Sequence, residues 1–107
     1  MSGENAGRVL ALGSCELDLA RGQLLRDGKP VALRSKAFDL LTYLCRNVGR
    51  VATKSELMSA VWPDVFVTED SLTQAVRELR KALQDESQTI IRTVAKRGYV
   101  LSLLEAP

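Results

Sequence analysis

Up to about residue 33 the apolar positions come in short strand-like runs: Val9-Leu10-Ala11-Leu12, Cys15-Glu16-Leu17-Asp18-Leu19, Gln23-Leu24-Leu25-Arg26 and Lys29-Pro30-Val31-Ala32-Leu33. The second run alternates apolar and acidic residues, which gives a half-buried strand one wet and one dry face. Arg21-Gly22 interrupts the series, and Asp27-Gly28 is a strong hairpin signal. The first third of the chain is expected to form a small antiparallel sheet.

From Ser35 the spacing becomes helical. Ser35 is placed to cap a helix running to about Asn47. Phe38, Leu41, Cys45 and Val48 fall on one stripe at spacings of 3, 4 and 3, with Leu44 beside it. Gly49 is placed to end that helix in a left-handed conformation. Thr53-Lys54-Ser55-Glu56 has the form of a capping box, in which the threonine oxygen accepts from the amide three residues on and the glutamate reaches back. The short helix it starts carries Leu57, Met58, Val61 and Trp62 inward, and Pro63 stops it. Pro63 to Val67 is a loop of apolar and acidic residues.

A third helix follows, capped by Thr68 and ending near Gln84, with Glu69 and Asp70 suited to its positive N-terminal end. Projected at 100° per residue, Leu72, Val76, Leu79 and Leu83 cluster on one side, flanked by Ala75 and Ala82. Gln74, Arg77 and Lys81 fall opposite, with Thr73, Glu78, Arg80 and Gln84 on the flanks. Asp85-Glu86-Ser87-Gln88 is a polar loop. Thr89 to Val94 and Tyr99 to Leu104 are β-branched and apolar runs around the turn Ala95-Lys96-Arg97-Gly98, a hairpin with two adjacent cations at its tip.

Composition bounds the choices. A chain of 107 residues with 46% hydrophobic and 26% charged residues is an ordinary single globular domain. No run is apolar enough to span a bilayer, and residues 1–8 have no signal-peptide core, so they are expected to be a flexible leader. Cys15 and Cys45 fit no zinc or redox spacing, and free thiols in a reducing, cytoplasmic compartment are expected. With no histidine, no convincing carboxylate pair and no glycine-rich phosphate loop, neither catalysis nor a metal or organic cofactor is expected, nor a small-molecule substrate. The net charge is only +2. Its distribution says more: Ser87 to Leu104 holds Arg92, Lys96 and Arg97 and no acid.

The outer face of the third helix can read base edges. Glutamine pairs with adenine and arginine with guanine, each for about 1–3 kcal/mol of discrimination. Taken alone, such a face is more often that of a solvated helix, and Lys96-Arg97 taken alone more often just keeps a turn soluble. A cationic hairpin tip beside a reading helix instead fits a duplex, because arginine is favoured in a narrow minor groove.

Leu33-Arg34-Ser35-Lys36-Ala37-Phe38-Asp39-Leu40-Leu41, Gly49-Arg50-Val51, Leu57 with Val61-Trp62, Leu79-Arg80-Lys81-Ala82-Leu83 and Ile91-Arg92-Thr93-Val94-Ala95-Lys96-Arg97-Gly98-Tyr99 together resemble the OmpR/PhoB-type winged-helix effector domain of bacterial response regulators. Asp70-Ser71-Leu72-Thr73-Gln74-Ala75-Val76 with Lys96-Arg97-Gly98-Tyr99 is most similar to the CadC/ToxR-like branch. The resemblance covers residues 9–104 and leaves 105–107 as a tail. It implies an α+β winged helix-turn-helix with an N-terminal four-stranded antiparallel sheet, three helices and a C-terminal β-hairpin wing. It also implies sequence-specific binding of double-stranded DNA in transcriptional regulation, with helix 68–84 in the major groove and wing 89–103 at the minor groove.

Carried over by position, the expected contacts are Ser71, Gln74, Arg77, Glu78, Arg80, Thr93, Lys96 and Arg97. Lys81 joins them from the helical projection, and Thr73 from the flank. Glu78 stands where some relatives have a cation and is suited to accept from cytosine N4. Ala75 replaces a polar side chain of some relatives. In the family the loop between the second and third helices often contacts RNA polymerase. Here that implies Asp64, Val65 and Phe66, with Phe66 either an exposed contact or a buried loop anchor. Binding as a dimer on tandem sites and a C-terminal sensor or membrane module in a longer protein are further implications; with only residues 1–8 ahead of the first strand, an upstream receiver is not expected. The rival reading is a winged-helix protein-interaction module that does not bind DNA, favoured by the near-neutral charge and Glu78.

Overall fold

Four short strands come first, β1 (Val9–Leu12), β2 (Cys15–Asp18), β3 (Gln23–Arg26) and β4 (Lys29–Pro30), paired antiparallel in the order β1-β2-β3-β4. β2 alternates as its sequence requires, with Cys15 and Leu17 buried and Glu16 exposed, and Leu12 of β1 and Leu24 of β3 are buried beside them. Asp27 and Gly28 both take positive φ, as the hairpin requires. Strands β2 and β4 are shorter than expected; Leu19 lies past the last paired residue of β2, and Val31 keeps a single bond to Leu24 O at 2.8 Å. This computed structural model describes residues 9–102. The expected leader 1–8, the tail 105–107 and the strand residues Leu103-Leu104 lie outside them.

Helix α1 spans Ser35–Cys45. Two expectations for it are corrected. Its cap position is Arg34, with no side-chain cap, and Ser35 is already helical. The Arg34 amide is satisfied instead by a carboxylate from far along the chain, Glu78 Oε2 at 3.1 Å. The helix also ends two residues before Asn47, so its buried side is Ala37, Leu40, Leu41, Leu44 and Cys45. Phe38 is only half-buried and Val48 is 40% exposed. Gly49 has φ +83°, but it closes the following turn and donates to Leu101 O at 3.0 Å; it is not the helix cap.

Strand β5 (Ala52–Thr53) leads into α2 (Lys54–Val61). The capping box is formed: Thr53 Oγ1 accepts from Glu56 N at 3.0 Å and Glu56 Oε1 accepts from Thr53 N at 3.2 Å. Helix α3 spans Glu69–Leu83. Thr68 occupies its cap position, but its side chain makes no cap bond; its carbonyl takes Ser71 N at 3.1 Å. Leu72, Val76, Leu79 and Leu83 are at most 2% exposed. Each contributes about 1.5–3 kcal/mol by burial, so this face of α3 belongs to the fold.

Strands β6 (Ile91–Val94) and β7 (Gly98–Leu101) form the expected hairpin. It is not isolated, because β5 pairs with β7 in a sheet ordered β5-β7-β6. Gly98 was expected to serve the turn; instead its Cα faces β5, where a Cβ would lie 1.9 Å from Ala52 O. The left-handed residue of the turn is Lys96, φ +65°.

Candidate nucleic-acid interface

Helix α3 leaves the core through its other face. Thr73, Gln74, Arg77 and Lys81 are exposed; Ser71, Glu78 and Arg80 are half-buried. Among the described residues, Arg77 and Lys81 on the helix and Arg92, Lys96 and Arg97 on the hairpin are exposed and lack an ion-pair partner, whereas Arg21, Arg34, Arg50 and Lys54 are paired. Lys29, Lys36 and Arg46 are also exposed without an ion pair, but five such cations stand on the two elements singled out from the sequence.

Contacts along α3 fix the hairpin beside it. At the helix C-terminus, Asp85 is 4% exposed and its carboxylate accepts from Thr89 N at 2.9 Å, Ile90 N at 3.1 Å and Ile91 N at 2.9 Å. One turn earlier, Arg80 donates to Ile91 O through Nε (3.1 Å) and Nη2 (2.7 Å), and to Thr93 Oγ1 at 2.8 Å. Its guanidinium lies over the Tyr99 ring, 6.0 Å from the centroid. At the hairpin turn, Arg97 O accepts from Lys54 N at 3.1 Å, while Lys54 Nζ reaches Glu69 Oε1, at the start of α3, at 3.3 Å. The hairpin thus has its base at the end of α3 and its tip level with the beginning. A groove of about 530 Å³ opens between them, lined by Thr73, Arg77, Arg80, Lys81, Gln84 and Tyr99 among others.

The expected contact residues fall into two groups. Ser71, Thr73, Arg77, Lys81, Lys96 and Arg97 make no side-chain hydrogen bond within the described residues, and Gln74 makes only an exposed one, to Asp70 Oδ2 at 3.0 Å. Glu78, Arg80 and Thr93 have polar atoms occupied by the protein itself. Glu78 holds the Arg34 amide and lies 3.9 Å from Arg34 Nε. In the loop between α2 and α3, Asp64, Val65 and Phe66 are exposed, Phe66 at 98% and Val65 at 60%, which removes the alternative of a buried Phe66 anchor.

The sequence reading missed Asp85, grouped there with a solvated polar loop. The available signal was an acid just past a helix end and four residues before a β-branched run, within reach of the amides that start it. It counted Arg92 among the cations of residues 87–104 but left it out of the expected contacts, and Arg92 is exposed on β6. Both cysteines are free and buried, and burial pushes the Cys45 thiol up to about 12. Among the described residues no cluster of three or more His, Cys, Asp or Glu could hold a metal, and no helix is long and apolar enough to cross a membrane.

Residues 28–101 match the family described as transcriptional regulatory protein, C terminal. The transcriptional activator CadC of Escherichia coli (strain K12) is 35% identical over 96 residues, 87% of this chain and 19% of CadC. The solved DNA-binding domain of E. coli CadC has a TM-score of 0.76 at 33% identity, covering 90% of this chain and 92% of that one. The RstA DNA-binding domain of Klebsiella pneumoniae, in complex with the RstA box, has a TM-score of 0.75 at 27% identity, covering 91% and 99%. The chain spans less than half the length of the curated relatives it matches here.

Proposed function

The chain belongs to the transcriptional regulatory protein C-terminal family, of the OmpR/PhoB type, and on that premise we propose that it binds double-stranded DNA sequence-specifically as the effector domain, residues 9–104, of a transcriptional regulator. The observation that carries this reading is the unpaired cations of α3 and of the wing turn on elements held side by side across an open groove. A major groove about 12 Å wide admits a helix, and a tip beside that helix reaches the neighbouring minor groove.

Within this arrangement Gln74 and Arg77 face base edges, with Gln74 giving up its bond to Asp70. Lys81, Ser71 and Thr73 take phosphate oxygens. Lys96 and Arg97 enter or flank the minor groove. Glu78, the acid that argues against a polyanion, spends its charge on Arg34. Exposed Asp64, Val65 and Phe66 supply a face for RNA polymerase. Pairing on tandem sites, a cytoplasmic location with the DNA, and a sensor module elsewhere in a longer protein complete the proposal; the small share of CadC that the chain spans supports the last.

Selection from a random duplex pool tests the reading. A recovered base preference is the expected result. No enrichment, with no binding to random duplex even at low salt, would leave the protein-interaction module as the better account.

A further inference from the structure

We infer that Arg80 and Asp85 act on DNA binding as positioning residues, gripping Ile91 from its two backbone sides and so setting the wing at a fixed distance from α3. The inference rests on the DNA-binding reading above and deepens it. Both groups sit where the helix hands the chain to the wing, Asp85 N donating back to Arg80 O at 2.8 Å. The Asp85 carboxylate takes the Ile91 amide, with those of Thr89 and Ile90, from a site 4% exposed. Arg80 takes the Ile91 carbonyl with two nitrogens and Thr93 Oγ1 with one of them.

One residue of β6 is thereby held by a carboxylate on its N–H and a guanidinium on its C=O, one carried just past the end of α3 and the other by its last turn. Charge-assisted bonds of this kind are about twice as strong as neutral ones, and a two-pronged guanidinium fixes direction as well as distance. Tyr99, under the guanidinium, limits where Arg80 can go. Arg80 thus has two nitrogens committed inside the protein, unlike Arg77 three residues before it, whose side chain has no hydrogen-bond or ion-pair partner among the described residues. The Lys96-Arg97 tip is carried by β6 and β7; β7 is held to β5 and Arg97 O to Lys54 N, so release of Ile91 shifts the β6 side of the tip against that anchor. Lysine has no planar fork and cannot reproduce the paired grip.

Arg80→Lys, Asp85→Asn and the double variant, each in the full chain, separate this role from others. Binding is measured on the duplex recovered by selection and on random duplex, over a range of salt. Arg80→Lys is expected to weaken both by about tenfold, leaving their ratio unchanged, and to make the log–log salt slope shallower by about 1.8, the value for two lost wing phosphates. Amide exchange should rise in Ile91–Val94 while the centre of α3 stays protected. The double variant should be no weaker than the weaker single variant, because both remove one device. If Asp85→Asn fails to fold, Arg80→Lys carries the test alone.

Arg80→Lys binding within about twofold of the original, at the original slope, overturns the inference, since a plain phosphate contact needs only the charge. So does a changed preference at one base pair, which assigns Arg80 to base reading. Absence of binding by the unaltered chain to any duplex sinks the DNA-binding reading itself, and this inference with it.

Discussion

Arg77 and Leu79 lie two residues apart on α3 and separate the work of its two faces. Leu79 is fully buried, and Leu79→Ala should lower stability by about 2–5 kcal/mol through a cavity, read as a urea midpoint; a near-neutral midpoint would remove it from the core. The Arg77 side chain is exposed and has no partner among the described residues, so Arg77→Ala should leave melting nearly unchanged while weakening specific binding by about 1–3 kcal/mol. A large melting loss with unaltered binding would reverse the assignment. Gly98 poses the opposite problem. A Cβ there would meet Ala52 O at 1.9 Å and Thr53 Cα at 2.9 Å, backbone atoms that can move only by opening the β5–β7 pairing. Gly98→Ala should cost more than about 2 kcal/mol, and an unchanged melting temperature would refute that close approach. The sequence marks Gly98 as special, but its neighbouring turn suggested the wrong reason, because the crowding comes from a strand far away in the chain.

At the scale of elements, α2 is locked by one carboxylate that serves three partners. Glu56 completes the capping box with Thr53 and takes hydrogen bonds from Arg50 and from the Tyr43 hydroxyl of α1. Chiefly Arg50, then Tyr43, hold its carboxyl down at about 2, against 4.5 in the unfolded chain. A carboxyl depressed by folding adds stability that is complete above its unfolded value and drains as pH falls through its folded one. The window here runs from about 4.5 to about 2. Glu56→Gln keeps the capping-box geometry but cannot ionise, so its urea midpoint should fall less between those pH values than the original does. Parallel acid profiles would show that the network contributes nothing. The cluster is partly solvent-exposed, and added salt should shrink the difference.

The capping box was legible because its partners are three residues apart; the Arg50 and Tyr43 bonds to the same carboxylate depend on packing and were not. Likewise, α1 was recognised as a helix from its periodicity. Its bounds and exact buried face depended on Glu78 reaching the Arg34 amide and on a turn that begins at Arg46. Strand β5, two residues long, exists only because β7 supplies its partner.

For the whole molecule, the larger layout was readable: four short strands, an amphipathic third helix and a cationic hairpin each follow a local pattern. Their relative placement follows from long-range bonds that no local pattern contains. Arg26 Nη1 donates to Ala82 O at 3.0 Å, tying the first sheet to the end of α3, and Asp85 ties the wing to the same end. With a net charge of only +2, DNA affinity rests on how those ties concentrate charge. If Lys81, Lys96 and Arg97 each neutralise one phosphate, log affinity should fall with log salt at a slope of about −2.7. Neutralising Lys96 and Arg97 together should bring the slope to about −0.9, while the preference for the selected sequence over random duplex survives through α3. Titrations of both forms at several salt concentrations measure this. A slope near zero in the unaltered chain would mean that phosphates are not the partner of these cations. An unchanged slope after the double neutralisation would mean that the wing stands clear of the duplex and α3 binds without it.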